Sequence, residues 1–121
     1  MAKILVAEDD EQVRGMLHQM LERAGHDVAV ARDGRQAVKM YRREPADVMI
    51  TDMAMPKKHG YEAIRELKER FPDLKSIAIT GWGSELLDLA DSNGASLTMA
   101  KPVGQAELLQ AVDDLLGDPD Q

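Results

Sequence analysis

The sequence predicts an α/β protein with one parallel sheet and helices on both faces, and two patterns support this. Short apolar runs of strand length alternate with segments whose apolar residues recur at helical spacing. The apolar runs begin near residues 3, 27, 47, 76 and 96, and one helical segment follows each of them. Alternating units of this length favour parallel strands with right-handed crossovers. Five such units fit a doubly wound sheet with the strand order 2-1-3-4-5.

The third strand shows the pattern most clearly. Val48 to Ile50 have no polar break, as expected for a strand buried on both faces of a parallel sheet. Asp52 stands where this strand should end, and Pro56 then forces a turn because it lacks a backbone N–H group. The carboxyl end of a central strand is where open α/β sheets hold their ligands.

The helix boundaries follow from turn and capping residues. Asp10 is expected to cap the first helix, because its carboxylate can accept hydrogen bonds from free amides of the first turn. Ser84 is expected to cap a fourth helix in the same way. The expected helix ends are Gly25, the Pro45 region, Phe71-Pro72, Asn93-Gly94 and Gly117.

The chain of 121 residues suits one domain spanning residues 1–121, with a polar tail at residues 118–121. Cysteine is absent, which excludes disulfides and thiolate metal sites. No apolar run approaches the roughly 20 residues of a membrane span. We therefore expect a soluble, cytoplasmic protein that does not contact membranes.

The net charge of −7 comes from the last third of the chain. Residues 1–75 hold equal numbers of basic and acidic residues, whereas residues 76–121 hold only Lys101 against eight acids. Such a surface repels phosphate backbones, so direct nucleic-acid binding is not expected. It either steers a basic partner protein or simply keeps the domain soluble.

Polar residues follow four of the predicted strands and should meet at one edge of the sheet. They are Glu8, Asp9 and Asp10 after strand 1, Asp52 at strand 3, Thr80 at strand 4, and Lys101 at strand 5. Two carboxylates about 4 Å apart repel by about 4 kcal/mol at an effective dielectric of about 20, which favours a neutralising cation. All-oxygen ligands select a hard cation, and Mg²⁺ suits phosphate chemistry. With the Lys101 ammonium and the Thr80 hydroxyl, the set describes a phosphoryl site with a carboxylate nucleophile.

These residues resemble the receiver domains of two-component response regulators, whose sheet is flavodoxin-like. The resemblance covers essentially the whole chain, and its motifs are Ile4-Leu5-Val6-Ala7-Glu8-Asp9-Asp10, Asp52-Met53-Ala54-Met55-Pro56 with Gly60, Thr80-Gly81, and Lys101-Pro102. Each motif is weak alone. In this order, on alternating strands, they are highly specific.

The resemblance implies a role for each site residue. Asp52 would accept a phosphoryl group from a phosphohistidine of a sensor histidine kinase or phosphotransfer protein. Asp9 would bind Mg²⁺ directly, Glu8 through water, and Ala54 through its backbone carbonyl. Lys101 would pair with phosphoryl oxygens across a cis Lys-Pro bond.

Thr80 would move toward the phosphate and pass the signal to a surface of the fourth helix, fifth strand and fifth helix. A downstream protein or output domain would bind that surface. The family usually has an aromatic residue three positions before the lysine, where this chain has Thr98. Trp82 is the one nearby aromatic residue in the sequence.

Three other classes of protein share parts of this pattern. A haloacid-dehalogenase-type hydrolase would need an acid two residues after the nucleophile, where this chain has Ala54. A flavin-binding protein would need a small-residue phosphate loop after strand 1, where three acids would repel phosphate. A receiver from a longer regulator or hybrid kinase stays open. We therefore expect a phosphoacceptor that assists its own phosphorylation and dephosphorylation, not an enzyme acting on a separate metabolite.

Overall fold

The computed structural model describes residues 2–55, 57–81 and 94–117. The strands are β1 (Lys3–Ala7), β2 (Asp27–Ala31), β3 (Val48–Asp52), β4 (Ser76–Thr80) and β5 (Leu97–Ala100). The helices in this part of the chain are α1 (Glu11–Arg23), α2 (Gly34–Arg43), α3 (Gly60–Arg70) and a C-terminal helix (Gln105–Leu116). The fourth helix predicted to start at Ser84 lies outside the described residues.

The five strands form one parallel sheet in the order β2-β1-β3-β4-β5, which confirms the predicted topology. β3 and β4 are buried along their whole length, as strands with helices on both faces should be. The register pairs Asp52 of β3 with Ile79 of β4, and Thr80 of β4 with Ala100 of β5. The carboxyl ends of the strands therefore lie along one edge.

Two apolar cores cover the two faces of the sheet. Ala37, Val38 and Tyr41 of α2 pack with α3 and Met49 on one face. Leu17 and Leu21 of α1 pack with the C-terminal helix and Ile50 on the other. Because neighbouring β3 residues point to opposite faces, Met49 and Ile50 enter different cores. No helix in the described ranges is long and apolar enough to cross a bilayer.

Short polar contacts set the helix boundaries. Asp10 caps α1 as predicted, since its Oδ1 accepts hydrogen bonds from the amides of Gln12 (2.9 Å) and Val13 (3.1 Å). Asp33 caps α2 by accepting from the amide of Gln36 at 2.8 Å. Gly25, just beyond α1, has φ +95°, a conformation that favours glycine at a helix end.

The loop between β3 and α3 folds back tightly onto the end of β3. The amide of Gly60 donates to the carbonyl of Met53 at 3.0 Å. A Cβ atom at Gly60 would lie 1.8 Å from the carbonyl oxygen of Asp52 and 2.7 Å from Oγ1 of Thr51. Glycine at residue 60 therefore lets α3 begin directly against the strand end that carries Asp52.

We expect Gly60→Ala to destabilise the protein by about 1–3 kcal/mol, because the added methyl group overlaps backbone atoms. Gly15→Ala is the matched control, since a Cβ at Gly15 meets nothing within 4 Å and alanine is the better helix former. Urea unfolding of both variants measures the difference. Equal midpoints for Gly60→Ala and the unsubstituted protein would contradict the close approach.

Candidate functional site

Three strands deliver charged side chains to the same edge of the sheet. Asp52 is the last residue of β3, Glu8 directly follows β1, and Lys101 directly follows β5. β1 and β3 are neighbours in the sheet, whereas β4 lies between β3 and β5. The long Lys101 side chain crosses this gap, so the three groups that the sequence predicted as one site do lie together.

The ammonium of Lys101 contacts both buried carboxylates. Its Nζ lies 3.0 Å from Oε1 of Glu8 and 3.3 Å from Oδ2 of Asp52. The Glu8 and Asp52 side chains are only 2% and 9% exposed, whereas that of Lys101 is 27% exposed. The cation therefore reaches inward from the rim of the site, and Asp52 keeps a small opening to solvent.

The local charges change the proton affinities in a consistent direction. Burial raises the pKa of the Glu8 carboxyl to about 7, opposed by the hydrogen bond from Lys101 and reinforced by the charge of Asp52. Burial lowers the pKa of Lys101, but its contacts with Glu8 and Asp52 outweigh this effect and raise it overall. Lys101 therefore stays charged, and a single ammonium does not fully compensate the carboxylates.

The three carboxylates fit a divalent cation. Oxygen atoms of Glu8, Asp9 and Asp52 lie within 4.8 Å of one another. Asp9 is exposed, whereas Glu8 and Asp52 are buried, so the set opens to solvent on one side. An all-carboxylate donor set beside one lysine has uncompensated negative charge, which matches the preference of Mg²⁺ for oxygen ligands.

The remaining predicted residues lie around this cluster. Thr80 is fully buried at the end of β4, and its carbonyl accepts from the amide of Lys101 at 2.8 Å. Ala54 lies in the loop that directly follows β3. The Lys101-Pro102 bond is cis. Thr98 is half-buried in β5 opposite Ala78, whereas Trp82 lies outside the described residues.

Arg14 is a site residue that the sequence reasoning missed. From the end of the first turn of α1, its Nη1 donates to the carbonyl of Glu8 at 3.0 Å and to that of Asp9 at 3.4 Å. The amide of Asp10 also donates to Oε2 of Glu8 at 3.2 Å. These bonds hold the backbone of the acidic loop after β1. The sequence pattern does not distinguish an arginine that contacts these carbonyls from one that faces solvent on the polar side of a helix.

An apolar hollow of about 450 Å³ adjoins the charged cluster. It lies between α1 and the segment after β5, and its lining includes Met16, Leu17, Gly81, Lys101 and Val103. Met16 is 47% exposed, which is unusual for a large apolar side chain in this fold. The hollow therefore presents apolar surface immediately beside the ammonium group.

The sequence from residue 4 to residue 113 matches the family described as the response regulator receiver domain. The chain belongs to the response regulator receiver family. Receivers of this family bind Mg²⁺ at an acidic pocket, which here corresponds to the Glu8, Asp9 and Asp52 cluster. They act in two-component systems, where response regulators partner with histidine kinases and output domains.

Curated relatives of this receiver differ in length. The response regulator receiver protein CpdR of Brucella abortus is 33% identical over 117 residues, which cover 96% of this chain and 98% of CpdR. The transcriptional regulatory protein CpxR of Klebsiella pneumoniae is also 33% identical over 117 residues, but this region is only 50% of CpxR. Receivers similar to this one therefore occur alone and within longer regulators.

Solved receiver structures share the fold closely. A receiver domain protein from Clostridium thermocellum superposes with a TM-score of 0.90 at 32% identity, covering 96% of this chain and 94% of that one. The chemotaxis protein CheY4 of Vibrio cholerae gives a TM-score of 0.89 at 28% identity, covering 95% and 98%.

We expect Arg14→Ala to weaken Mg²⁺ binding by about fivefold, because the acidic loop loses hydrogen bonds worth about 1 kcal/mol. Isothermal titration with MgCl₂ measures this, and Arg14→Lys, which keeps one donor, should fall between. Arg23→Ala is the matched control, since Arg23 is an exposed residue of the same helix in its last turn. An unchanged affinity in Arg14→Ala would show that the acidic loop is held without Arg14.

Proposed function

We propose that this receiver accepts a phosphoryl group on Asp52 and signals its phosphorylation state to a partner. The supporting observation is the contact of one lysine with both Glu8 and Asp52, at 3.0 and 3.3 Å, where β3 ends. A carboxylate beside a fixed cation and further acids is suited to phosphoryl transfer, which depends on positioning and charge neutralisation.

In the proposed reaction an Oδ atom of Asp52 attacks the phosphorus of a phosphohistidine. The new O–P bond forms as the P–N bond breaks, and the imidazole leaves. Lys101 would remain protonated and would neutralise charge on the phosphoryl oxygens. Thr80 would donate its hydroxyl to the same group. The chain would thus assist its own phosphorylation and would not act on a separate metabolite.

Glu8, Asp9, Asp52 and the Ala54 carbonyl would hold Mg²⁺, with Glu8 acting through water. The ion would neutralise charge that Lys101 alone leaves uncompensated. Arg14 would keep the Glu8–Asp9 loop in place for this purpose. The donor would be a sensor histidine kinase or a phosphotransfer protein, and the hollow that contains Met16 offers it an apolar contact beside Lys101.

We expect a small phosphodonor with Mg²⁺ to add one phosphoryl group to the protein, and Asp52→Ala to abolish this addition. Asp10→Asn is the control, because Asp10 caps α1 and asparagine caps equally well. Intact-mass spectrometry measures the labelled fraction. Full labelling of Asp52→Ala, or loss of labelling in Asp10→Asn alone, would contradict the assignment.

The signal would be read on the surface that includes β5 and the C-terminal helix. Lys101 connects Asp52 to the segment just after β5, and its amide bonds to Thr80. A phosphoryl group on Asp52 would compete with Glu8 for the ammonium and draw on the Thr80 hydroxyl. Such a local change must bias a two-state element to act as a switch. A downstream protein or an output domain would then recognise the altered surface.

We expect phosphorylation to shift amide resonances in β5 and the C-terminal helix beyond those adjacent to Asp52. Heteronuclear NMR spectra with and without phosphodonor and Mg²⁺ measure this. Asp52→Ala treated identically corrects for effects of the reagents. If the shifts stop at the residues around Asp52, the output surface lies elsewhere.

A further inference from the structure

The exposed side of α2 carries positive charge that the acidic site does not use. A hollow of about 390 Å³, the basic groove, is lined by Arg32, Asp33, Arg35, Gln36, Lys39 and Lys57. Four of these six residues are cations, and one is an acid. The groove joins the start of α2 to the loop after β3, and it shares no residue with the phosphoacceptor site.

Three of the four groove cations form no ion pair within the described residues, and the fourth, Lys57, has one long contact. Arg32, Arg35 and Lys39 are exposed and form no ion pair there, and Lys57 approaches Asp33 only at 3.8 Å. Arg42, on the side of α2 that faces α3, pairs with Glu66 instead. Compensated and uncompensated cations therefore lie on different sides of the same helix.

The arrangement is unfavourable for α2 itself. Arg35, Lys39 and Arg43 follow one another at four-residue spacing, so like charges repel along one face. Arg35 in the first turn opposes the helix dipole, and only the capping Asp33 favours it at this end. An anionic partner bound along this face would reduce the repulsion between the cations and the unfavourable interaction of Arg35 with the helix dipole. Solubility alone does not require a row of like charges on one face.

The walls of the groove are fixed. The amide of Arg32 donates to Oε1 of Gln36 at 2.7 Å, and the amide of Gln36 donates to Oδ1 of Asp33 at 2.8 Å. The amide of Gly34 donates to the carbonyl of Lys58 at 3.1 Å. A Cβ at Gly34 would lie 2.0 Å from that carbonyl, so α2 and the loop after β3 are locked together.

We propose that the basic groove docks an acidic segment of a partner protein. Asp33 already caps α2, so the helix N-terminus is not open to a single phosphate. Along α2 the groove cations Arg35 and Lys39 are about 6 Å apart, and Arg43, outside the groove, continues the row for about another 6 Å. This spacing suits separate carboxylates on one segment.

A nucleic acid fits the groove less well. The phosphates of a nucleic acid would continue beyond the groove, where the protein's net charge of −7 would repel them. A peptide can instead place a few acidic residues in the groove and be neutral elsewhere. Among the described residues that line the groove, none has an aromatic side chain on which a base could stack.

The test measures binding of a short fluorescein-labelled peptide of alternating Glu and Ser by fluorescence polarisation at about 0.15 M salt. We expect Arg35→Glu/Lys39→Glu to weaken binding by about tenfold or more. This variant should fold, because Glu at residue 35 favours the first turn of α2 and Glu at residue 39 can pair with Arg43.

Arg65→Glu/Lys75→Glu is the matched control, since both residues are exposed and outside the groove and the charge change is equal. It should retain the affinity within about twofold, because neither residue lines the groove. Equal losses in both variants would mean general electrostatic attraction and would overturn the proposal.

Two other results would assign the groove to a different occupant and would also overturn the proposal. One is tighter groove-dependent binding of a single-stranded oligonucleotide of equal charge. The other is self-association of the unsubstituted protein in sedimentation velocity that Arg35→Glu/Lys39→Glu abolishes, which would point to the acidic last third of a second copy.

Discussion

One cation between two buried carboxylates is the interaction on which the rest of the site depends. Removing Glu8 and Asp52 from water costs several kcal/mol each unless a partner compensates them, and removing only Lys101 would leave both uncompensated. Lys101 reaches them because β5 is in register with β4, which is in register with β3. A slip of one residue would turn the Asp52 side chain to the other face. The apolar packing that sets the strand register therefore also sets the positions of these charges, and the excess negative charge favours binding of a cation.

Most of the architecture could be predicted because its determinants are local and periodic. Strand starts, helix ends and the cap at Asp10 each follow from residues within a few positions. The convergence of Glu8, Asp52 and Lys101 also follows, because parallel strands bring their carboxyl ends to one edge. The contact of Arg14 with the carbonyls of Glu8 and Asp9 could not be predicted, since it depends on where α1 starts and on a long side chain folding back. The close approach of Gly34 to Lys58 joins two loops that no pattern links, so only the folded structure reveals it.

Counting charges along the sequence does not show where those charges lie on the folded protein. The basic and acidic residues of residues 1–75 cancel in number. In the structure the acidic and basic residues of this segment lie in different places. Glu8 and Asp9 lie at the acidic site, whereas Arg32, Arg35 and Lys39 line the basic groove. Tertiary contacts alone bring Lys57 to this groove, so linear charge counts could not reveal it. The protein is thus polarised, with α2 and the acidic C-terminal helix on opposite faces of the sheet.

The buried carboxylates of the site and the exposed cations of the basic groove differ in what they cost the folded protein, and they therefore differ as evidence for function. The carboxylates of Glu8 and Asp52 are buried, and keeping them there opposes folding, so these two residues indicate a functional site even when no partner is known. The cations of the groove are exposed, so their burial costs no free energy, and only the row of like charges without ion pairs at Arg32, Arg35 and Lys39 indicates a ligand. Thr98 occupies the position that, in this family, usually holds an aromatic residue between the phosphoacceptor site and the output surface. Thr98 is half-buried in β5 and has no aromatic ring. Under the proposed function, the hydrogen bond from the Lys101 amide to the Thr80 carbonyl would therefore carry the signal toward β5.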